Sequence, residues 1–421
     1  MTDRLRVLAC AFACCPPGKP GFAGGEDVLG WNLLNQIGAR HDVWALTTSQ
    51  NKTSIEQGVS EGLINHVRFQ YLDLPFWLRP MLRIQGGHQA YYFLWQIKAY
   101  FVARRLHRKE RFDLFHHITY ANDWMASFIG GLLPIPYIRG PGGGAHRTPK
   151  GFLKEYSLNG KLWELVRSAG QWAFRHDPFF LISQNRAKAI LVCTSESMAQ
   201  LPQSWEQKAH FFPVSGVSRE DLETEAPSPS SGEIFEVLSA GKLIRIKGFA
   251  LAIRAFKKFS DLHPNTRFTI AGRGPEEVHL NKLISSFGLE EKVILCGEVP
   301  RDNLLNKMAA VDVFLFTSLR DGGGTVVTEA MAVGTPVVCL DAAGPGLHIN
   351  ENCGLKVVPA SPEQAVEGLA AALDVLYSNR SLLKLLGAGA KERAANEYDW
   401  DKLGNRLMQI YEEGLAASTT R

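Results

Sequence analysis

Twice along its length the chain repeats one alternation: a short apolar run, a turn rich in glycine or lysine, then a longer segment with helical spacing. The first series opens with RVLACAF, GGEDVLGWNLLNQIG and DVWALT, and continues through FDLFHHITY, IPYIRGPGGG and AILVCTS to about residue 215. Strand, turn, helix, strand is a βαβ unit, and its right-handed crossover makes the sheet parallel. The pattern then restarts at FEVLSAG. In KGFALAIRAFKKFS, Phe249, Ala252, Ile253, Phe256 and Phe259 follow the i, i+3, i+4 spacing of a helix face. RFTIAG, KVILCG, DVFLFTS and PVVCL read as further buried strands. Between the halves, EDLETEAPSPSSGE is nearly free of apolar residues and reads as a linker or exposed loop. The fold class expected is α/β, with two doubly wound parallel-sheet domains, residues 1–218 and 219–399. Ligands of such sheets bind outside the carboxyl ends of the strands, so two facing sheets leave a central cleft for two substrates. The segment YDWDKLGNRLMQIYEEGL is an amphipathic helix, about residues 400–421, expected to pack back on the first domain.

Composition agrees with two large cores: 421 residues, 45% hydrophobic and 21% charged. A net charge of +4 is small for this length and argues against a nucleic-acid partner. The seven cysteines include no C-x-x-C pair and no metal-like spacing, which suits reduced, buried thiols in a cytoplasmic protein. No apolar run reaches the roughly 20 residues of a membrane-spanning helix. The start, MTDRLRVLACAFACCPP, imitates a signal peptide. A glycine-rich loop and a helical pattern follow it, so it reads as a buried first strand.

The stretch LRDGGGTVVTEAMAVGTPVV carries the most chemistry. Gly322, Gly323 and Gly324 have no side chains, so a ligand's oxygens can come close to the backbone amides. The helix opening at Thr325 aims its unpaired amides and positive dipole end at the same place, which suits a phosphate. Glu329, about one turn in, can accept hydrogen bonds from two hydroxyls, as a ribose diol requires. Asp321 at the loop entrance can hold hydroxyls at the ligand's other end. In SAGKLIRIKGF, Lys242 and Lys247 follow the first strand of the second half and can meet a diphosphate as point charges.

Taken together, GKLIRIKGF, IAGRGPE, CGEVP and TSLRDGGGTVVTEAMAVGTPVV resemble the retaining glycosyltransferases of family 4, which have the GT-B fold of two Rossmann-like domains. The resemblance spans residues 238–340 and extends more loosely over the first half. It implies that Glu329 grips the donor ribose and that Asp321, where the family usually has Glu, lies near the transferred sugar. Lys242, at a position usually Arg, and Lys247 would neutralise the donor diphosphate, with Arg245 compensating for the lost Arg fork. Gly272, Arg273 and Gly274, with Gly297 to Val299, match loops around the nucleotide base. Gly24 and Gly25 match the glycine loop near diphosphate and acceptor. DLFHHITY matches the strand whose histidine lies near the reacting carbon; the Asp-x-x-His spacing favours His116, while strand alternation equally presents His117. The family's chemistry uses no cofactor and no metal beyond the UDP- or GDP-sugar substrate.

Acceptor features are read from charge. Arg139, His146 and Arg147 in IRGPGGGAHRTPK could meet a phosphate on a lipid-linked acceptor. Residues 79–111 carry eight Lys/Arg against Glu110 alone, interleaved with Tyr91, Tyr92, Phe93, Trp95, Tyr100 and Phe101. That mixture suits an anionic membrane surface. The expectation is a cytoplasmic enzyme, peripheral at the inner face of the plasma membrane. It would transfer sugar to a glycan or lipid-linked acceptor in bacterial envelope or exopolysaccharide synthesis. A sugar-nucleotide epimerase of the same architecture, or a non-catalytic nucleotide-binding partner, are the alternatives.

Overall fold

The computed structural model describes residues 4–19, 24–84, 86–155, 158–224 and 234–419. They divide into two compact units, each around one wholly parallel sheet. Residues 1–145, 163–214 and 403–421 make the first unit; 146–162 and 215–402 make the second.

The first sheet has seven strands: β1 (Arg6–Cys10), β2 (Asp42–Thr47), β3 (Val67–Tyr71), β4 (Leu114–His117), β5 (Tyr137–Gly142), β6 (Ala189–Val192) and β7 (Ala209–Phe211). Their spatial order is β3-β2-β1-β4-β5-β6-β7. Val7, Leu8, Ala9 and the whole of β4, β5 and β6 are buried, as strands covered by helices on both faces must be. The second sheet has six: β8 (Phe235–Ala240), β9 (Thr266–Ala271), β10 (Val293–Gly297), β11 (Val313–Phe316), β12 (Val337–Leu340) and β13 (Gly354–Val357). Their order is β10-β9-β8-β11-β12-β13. In both sheets the order reverses direction beside the first strand, and that switch point is where a doubly wound sheet opens a crevice.

The division departs from a single cut at residue 218. Residues 146–162 lie with the second unit, because Phe152 is buried in its core among Leu243, Phe249 and Leu319. Ser215 to Thr224 also lie there, Ser218 capping the short helix Arg219–Glu223. Of the linker-like stretch, residues 225–233 lie outside the described residues. From Leu403 the helix Trp400–Thr419 belongs to the first unit, where Arg406 Nη2 donates to the Phe211 carbonyl at 2.6 Å. All seven cysteines are free; Cys296 is exposed and the other six are buried.

Candidate active site

In the second unit β8 and β11 are neighbours, and the loops leaving their carboxyl ends are tied together. Leu319 N donates to the Ile246 carbonyl at 2.9 Å, and Thr317 Oγ1 to the Gly248 carbonyl at 2.9 Å. Gly248 has φ +71°, and a Cβ there would lie 2.2 Å from the Thr317 carbonyl oxygen, so only glycine allows this approach. The turn carrying Lys242 to Lys247 is thereby fixed against the turn carrying Asp321. Lys247 Nζ bonds to Asp321 Oδ2. Burial alone would raise the Asp321 carboxyl, but the Lys247 charge and the amides of Gly324 and Gly323 hold it below its ordinary range.

The glycine loop is organised differently from the reading in which its amides await a ligand. Asp321 Oδ1 accepts from Gly323 N at 3.1 Å and Gly324 N at 2.9 Å. Two of the amides offered to phosphate are therefore taken by the loop's own acid. The Gly323 carbonyl accepts from Ser215 Oγ at 2.8 Å and His348 Nε2 at 2.7 Å, and Gly344 N donates to the Asp321 carbonyl at 3.0 Å. Gly324, at φ +54°, starts the helix Thr325–Ala332 without a side-chain cap. The amides of Thr325 and Val326 have no partner among the described residues, so the anion-seeking end of this helix lies one residue later than the glycines. Lys242 and Arg245 are exposed.

Glu329 is 6% exposed. Its Oε1 accepts from Arg301 Nε at 2.7 Å, while Oε2 has no partner among the described residues. The same guanidinium forks onto Asp221, Nη1 to Oδ1 at 2.9 Å and Nη2 to Oδ2 at 2.8 Å. Burial raises the Glu329 carboxyl, and the Arg301 charge opposes that rise. At Asp221 burial is outweighed by the Arg301 bonds and charge, which lower its pKa. Neither Arg301 nor Asp221 was anticipated from the sequence. Arg301 did carry a signal: it is the first residue of the helix Arg301–Ala310, where the helix dipole disfavours a cation.

On the same side of the sheet, Gly272 (φ +144°) and Gly274 let the β9 turn press on the β8 turn. A Cβ on Gly272 would meet the Gly241 carbonyl oxygen at 1.9 Å. Gly272 N donates to the Gly297 carbonyl at 2.7 Å, and Arg273 extends, exposed, beside Gly297. Val299 is half-buried against the core. The structure thus brings Lys242, Lys247, Gly272, Gly297, Asp321 and Glu329 to the carboxyl ends of four adjacent strands.

The residues named in the first unit are arranged for architecture. His116 is fully buried, with Nε2 2.6 Å from the Gly140 carbonyl and Nδ1 2.7 Å from the Tyr411 hydroxyl. A carbonyl only accepts, so Nε2 carries the proton and Nδ1 accepts from Tyr411. Both nitrogens are occupied, which takes His116 away from a reacting carbon. Burial pushes its pKa down to about 4. His117 Nε2 lies 2.5 Å from the Tyr92 hydroxyl, and its Nδ1 is buried with no hydrogen-bond partner. Burial, with the Arg139 and His116 charges, lowers its pKa to about 3. Arg139 is 1% exposed and donates to the carbonyls of Ala121 and Asn122, with Asp123 3.9 Å away. It is a satisfied core cation rather than an acceptor contact. Of the glycine loop, Gly24 caps the helix Gly25–Gly38, its N donating to Asp27 Oδ2 at 3.1 Å. His146 is half-buried and Arg147 exposed, both in the second unit.

Comparison with known proteins bears on this site directly. Residues 222–393 match the family described as Glycosyl transferases group 1. An uncharacterised glycosyltransferase of Methanocaldococcus jannaschii is 24% identical over 385 residues, which is 84% of this chain and 92% of that protein. The lipopolysaccharide core biosynthesis glycosyltransferase LpsD of Rhizobium meliloti is 28% identical over 235 residues, 54% of this chain and 64% of LpsD. Among solved structures, HepE of Anabaena in complex with UDP-glucose superimposes with a TM-score of 0.61 at 16% identity, covering 97% of this chain and all of that one.

Proposed function

We propose that this chain is a glycosyltransferase of group 1 on the GT-B fold and that it moves a sugar from a nucleoside-diphosphate sugar to a glycan or lipid-linked acceptor with retained anomeric configuration. The observation that carries the reading is Glu329. A buried carboxylate with one oxygen anchored by Arg301 and the other unpartnered is prepared to accept hydroxyl hydrogen bonds from a ribose. Lys242 and Lys247 and the open amides of Thr325 and Val326 meet the diphosphate, whose negative charge grows as the glycosidic bond breaks. Arg245 and Arg273 add cationic side chains at the rim. The Lys247–Asp321 pair keeps the lysine in place before donor arrives, and Asp321 then faces the transferred sugar.

Attack comes from the face the leaving group departs, with a donor phosphate oxygen taking the acceptor proton. No strong protein base is needed, which accords with two histidines held neutral by burial. Because lysines supply the countercharge, transfer proceeds with a chelator present. LpsD's role in lipopolysaccharide core synthesis supports an envelope glycan or lipid-linked acceptor. The basic stretch 79–111 supports a cytoplasmic place beside an anionic membrane.

The test is to incubate the protein with UDP-, GDP- and ADP-sugars and candidate acceptors and read the product's anomeric proton by NMR. Retention in an acceptor-dependent product is expected. Inversion, or conversion of donor to its epimer with no acceptor present, would contradict the proposal.

A further inference from the structure

We infer that the first unit docks on an anionic lipid bilayer through an exposed apolar ridge spread over four helices. The inference rests on the membrane-proximal function proposed above and names the surface that serves it. The helices are Phe76–Arg83, Gly87–Glu110, the part of Leu158–Arg175 from Trp163 onward, and Pro178–Arg186.

Helix Leu158–Arg175 has no buried residue. Leu165, Val166, Ala169, Trp172 and Ala173 follow the i, i+1, i+4, i+7, i+8 spacing of one apolar stripe, which in a water-soluble fold faces a core. Here the stripe faces outward, with Leu165 66% and Trp172 64% exposed. The polar side is turned in: Arg167 Nη2 bonds Glu164 Oε2 at 2.8 Å, and Gln171 Nε2 donates to the Gly144 carbonyl at 3.1 Å. Relative to water, the helix is inside out.

The exposed stripe continues into its neighbours. Phe174 packs against Phe93, Phe93 against Phe128 and Phe128 against Phe179, with ring centroids 6.3, 5.2 and 5.6 Å apart. These rings, with Ile97, Ala173 and Asp177, line a mostly apolar groove of about 610 Å³. On the helix Phe76–Arg83, Phe76 is 80% exposed and Trp77 63% exposed. Tyr91, Tyr92 and Trp95, which the sequence offers to a membrane, are core residues instead; Phe101 is the exposed member of that set.

Charge selects the occupant. On the outer face of Gly87–Glu110, exposed Leu94, Ile97 and Phe101 are followed on the same stripe by exposed Arg104, Arg105 and Arg108. Apolar and aromatic tips entering hydrocarbon beside arginines at phosphate level match the boundary of an anionic bilayer. A second copy of this chain would bring those arginines against their own kind. No helix among the described residues is long and apolar enough to cross a membrane.

The experiment is co-sedimentation of the full chain with vesicles of phosphatidylcholine alone and of phosphatidylcholine mixed with phosphatidylglycerol. The wild type should bind the anionic vesicles about tenfold more tightly or better, and added salt should reduce the difference. Trp77→Ser combined with Leu165→Ser and Trp172→Ser should lose binding to both. Arg104→Gln with Arg105→Gln and Arg108→Gln should lose the anionic preference. Both variants should keep wild-type melting and UDP affinity, since every altered side chain is exposed and belongs to the first unit, whereas the donor loops belong to the second. Wild-type protein left in the supernatant with anionic vesicles would overturn the inference. So would a wild-type dimer that the Trp77/Leu165/Trp172 variant converts to monomer. Failure of UDP to bind, with vesicle binding intact, would instead count against the donor site alone.

Discussion

Strands β4 and β5 in the first unit and the turns leaving β8 and β11 in the second hold polar side chains in two similar sheets, yet use them in opposite ways. Around β4 and β5, His116, His117 and Arg139 are buried; Gly140 and Tyr411 occupy both nitrogens of His116, Tyr92 takes one of His117, and carbonyls take Arg139. Around β8 and β11, Lys247, Asp321, Arg301 and Glu329 are held by one another while Lys242 reaches solvent and one oxygen of Glu329 stays open. Polar residues at a strand end are thus no proof of a ligand site. What distinguishes the second cluster is partial satisfaction, in which side chains are oriented but retain capacity for a guest.

The largest predicted effect follows from removing that orientation's charge. Lys247→Ala should lower kcat/KM for sugar transfer by about a hundredfold or more, the usual result of deleting one group that stabilises a developing anion. Lys247→Arg should recover part of it. A loss of only a few-fold in steady-state assays would erase the contrast between the two clusters.

A smaller effect is expected at Arg301. Arg301→Gln should raise the donor KM by about tenfold with kcat little changed, because Glu329 loses its anchor rather than its chemistry. The pH dependence gives the sign. Burial already raises the Glu329 carboxyl, and Arg301 restrains the rise. Donor binding needs the ionised form, so KM climbs as pH falls through that pKa. In the variant, the climb should begin at higher pH. A KM that changes equally at all pH would mean Arg301 serves folding alone.

The smallest effect on transfer belongs to the first unit. His116→Phe should leave kcat/KM per folded molecule unchanged and cost roughly 2–5 kcal/mol of stability, because the buried Gly140 carbonyl and Tyr411 hydroxyl lose their partner. Its pKa is lowered to about 4, below the ordinary 6.5. The stability held by the neutral ring is therefore present above about pH 6.5 and is lost as pH falls toward 4. Urea unfolding across that window should take up about one proton fewer in the variant.

Much of the frame was legible in the chain itself. Parallel strands covered on both faces read as apolar runs, and turns at their ends carry the glycines and lysines that face the crevice. Lys242, Lys247 and Asp321 could be grouped because each follows closely on a strand end, and Glu329 because it lies about one turn into the helix after the glycine loop. Partnership across long separations could not be read. Arg301 meets Asp221 80 positions away, and Tyr411 meets His116 at a separation of 295, which no local spacing anticipates. The Asp-x-x-His run therefore looked like a site and is an anchor. Periodicity also finds the stripe on Leu158–Arg175 but not the side that faces water. Phe152, in the short 3-10 helix Lys150–Glu155, joins the second unit through packing that exists only in three dimensions.

The central claim is that the second unit's crevice holds a nucleoside diphosphate with Glu329 on its ribose. Isothermal titration of UDP and of GDP into the wild type and into Glu329→Ala measures this directly. One saturable site for at least one nucleotide is predicted, weakened roughly tenfold or more in the variant at unchanged melting temperature, as loss of hydrogen bonds to a charged group implies. Equal affinity in the two proteins, or no heat of binding to the wild type, would contradict it.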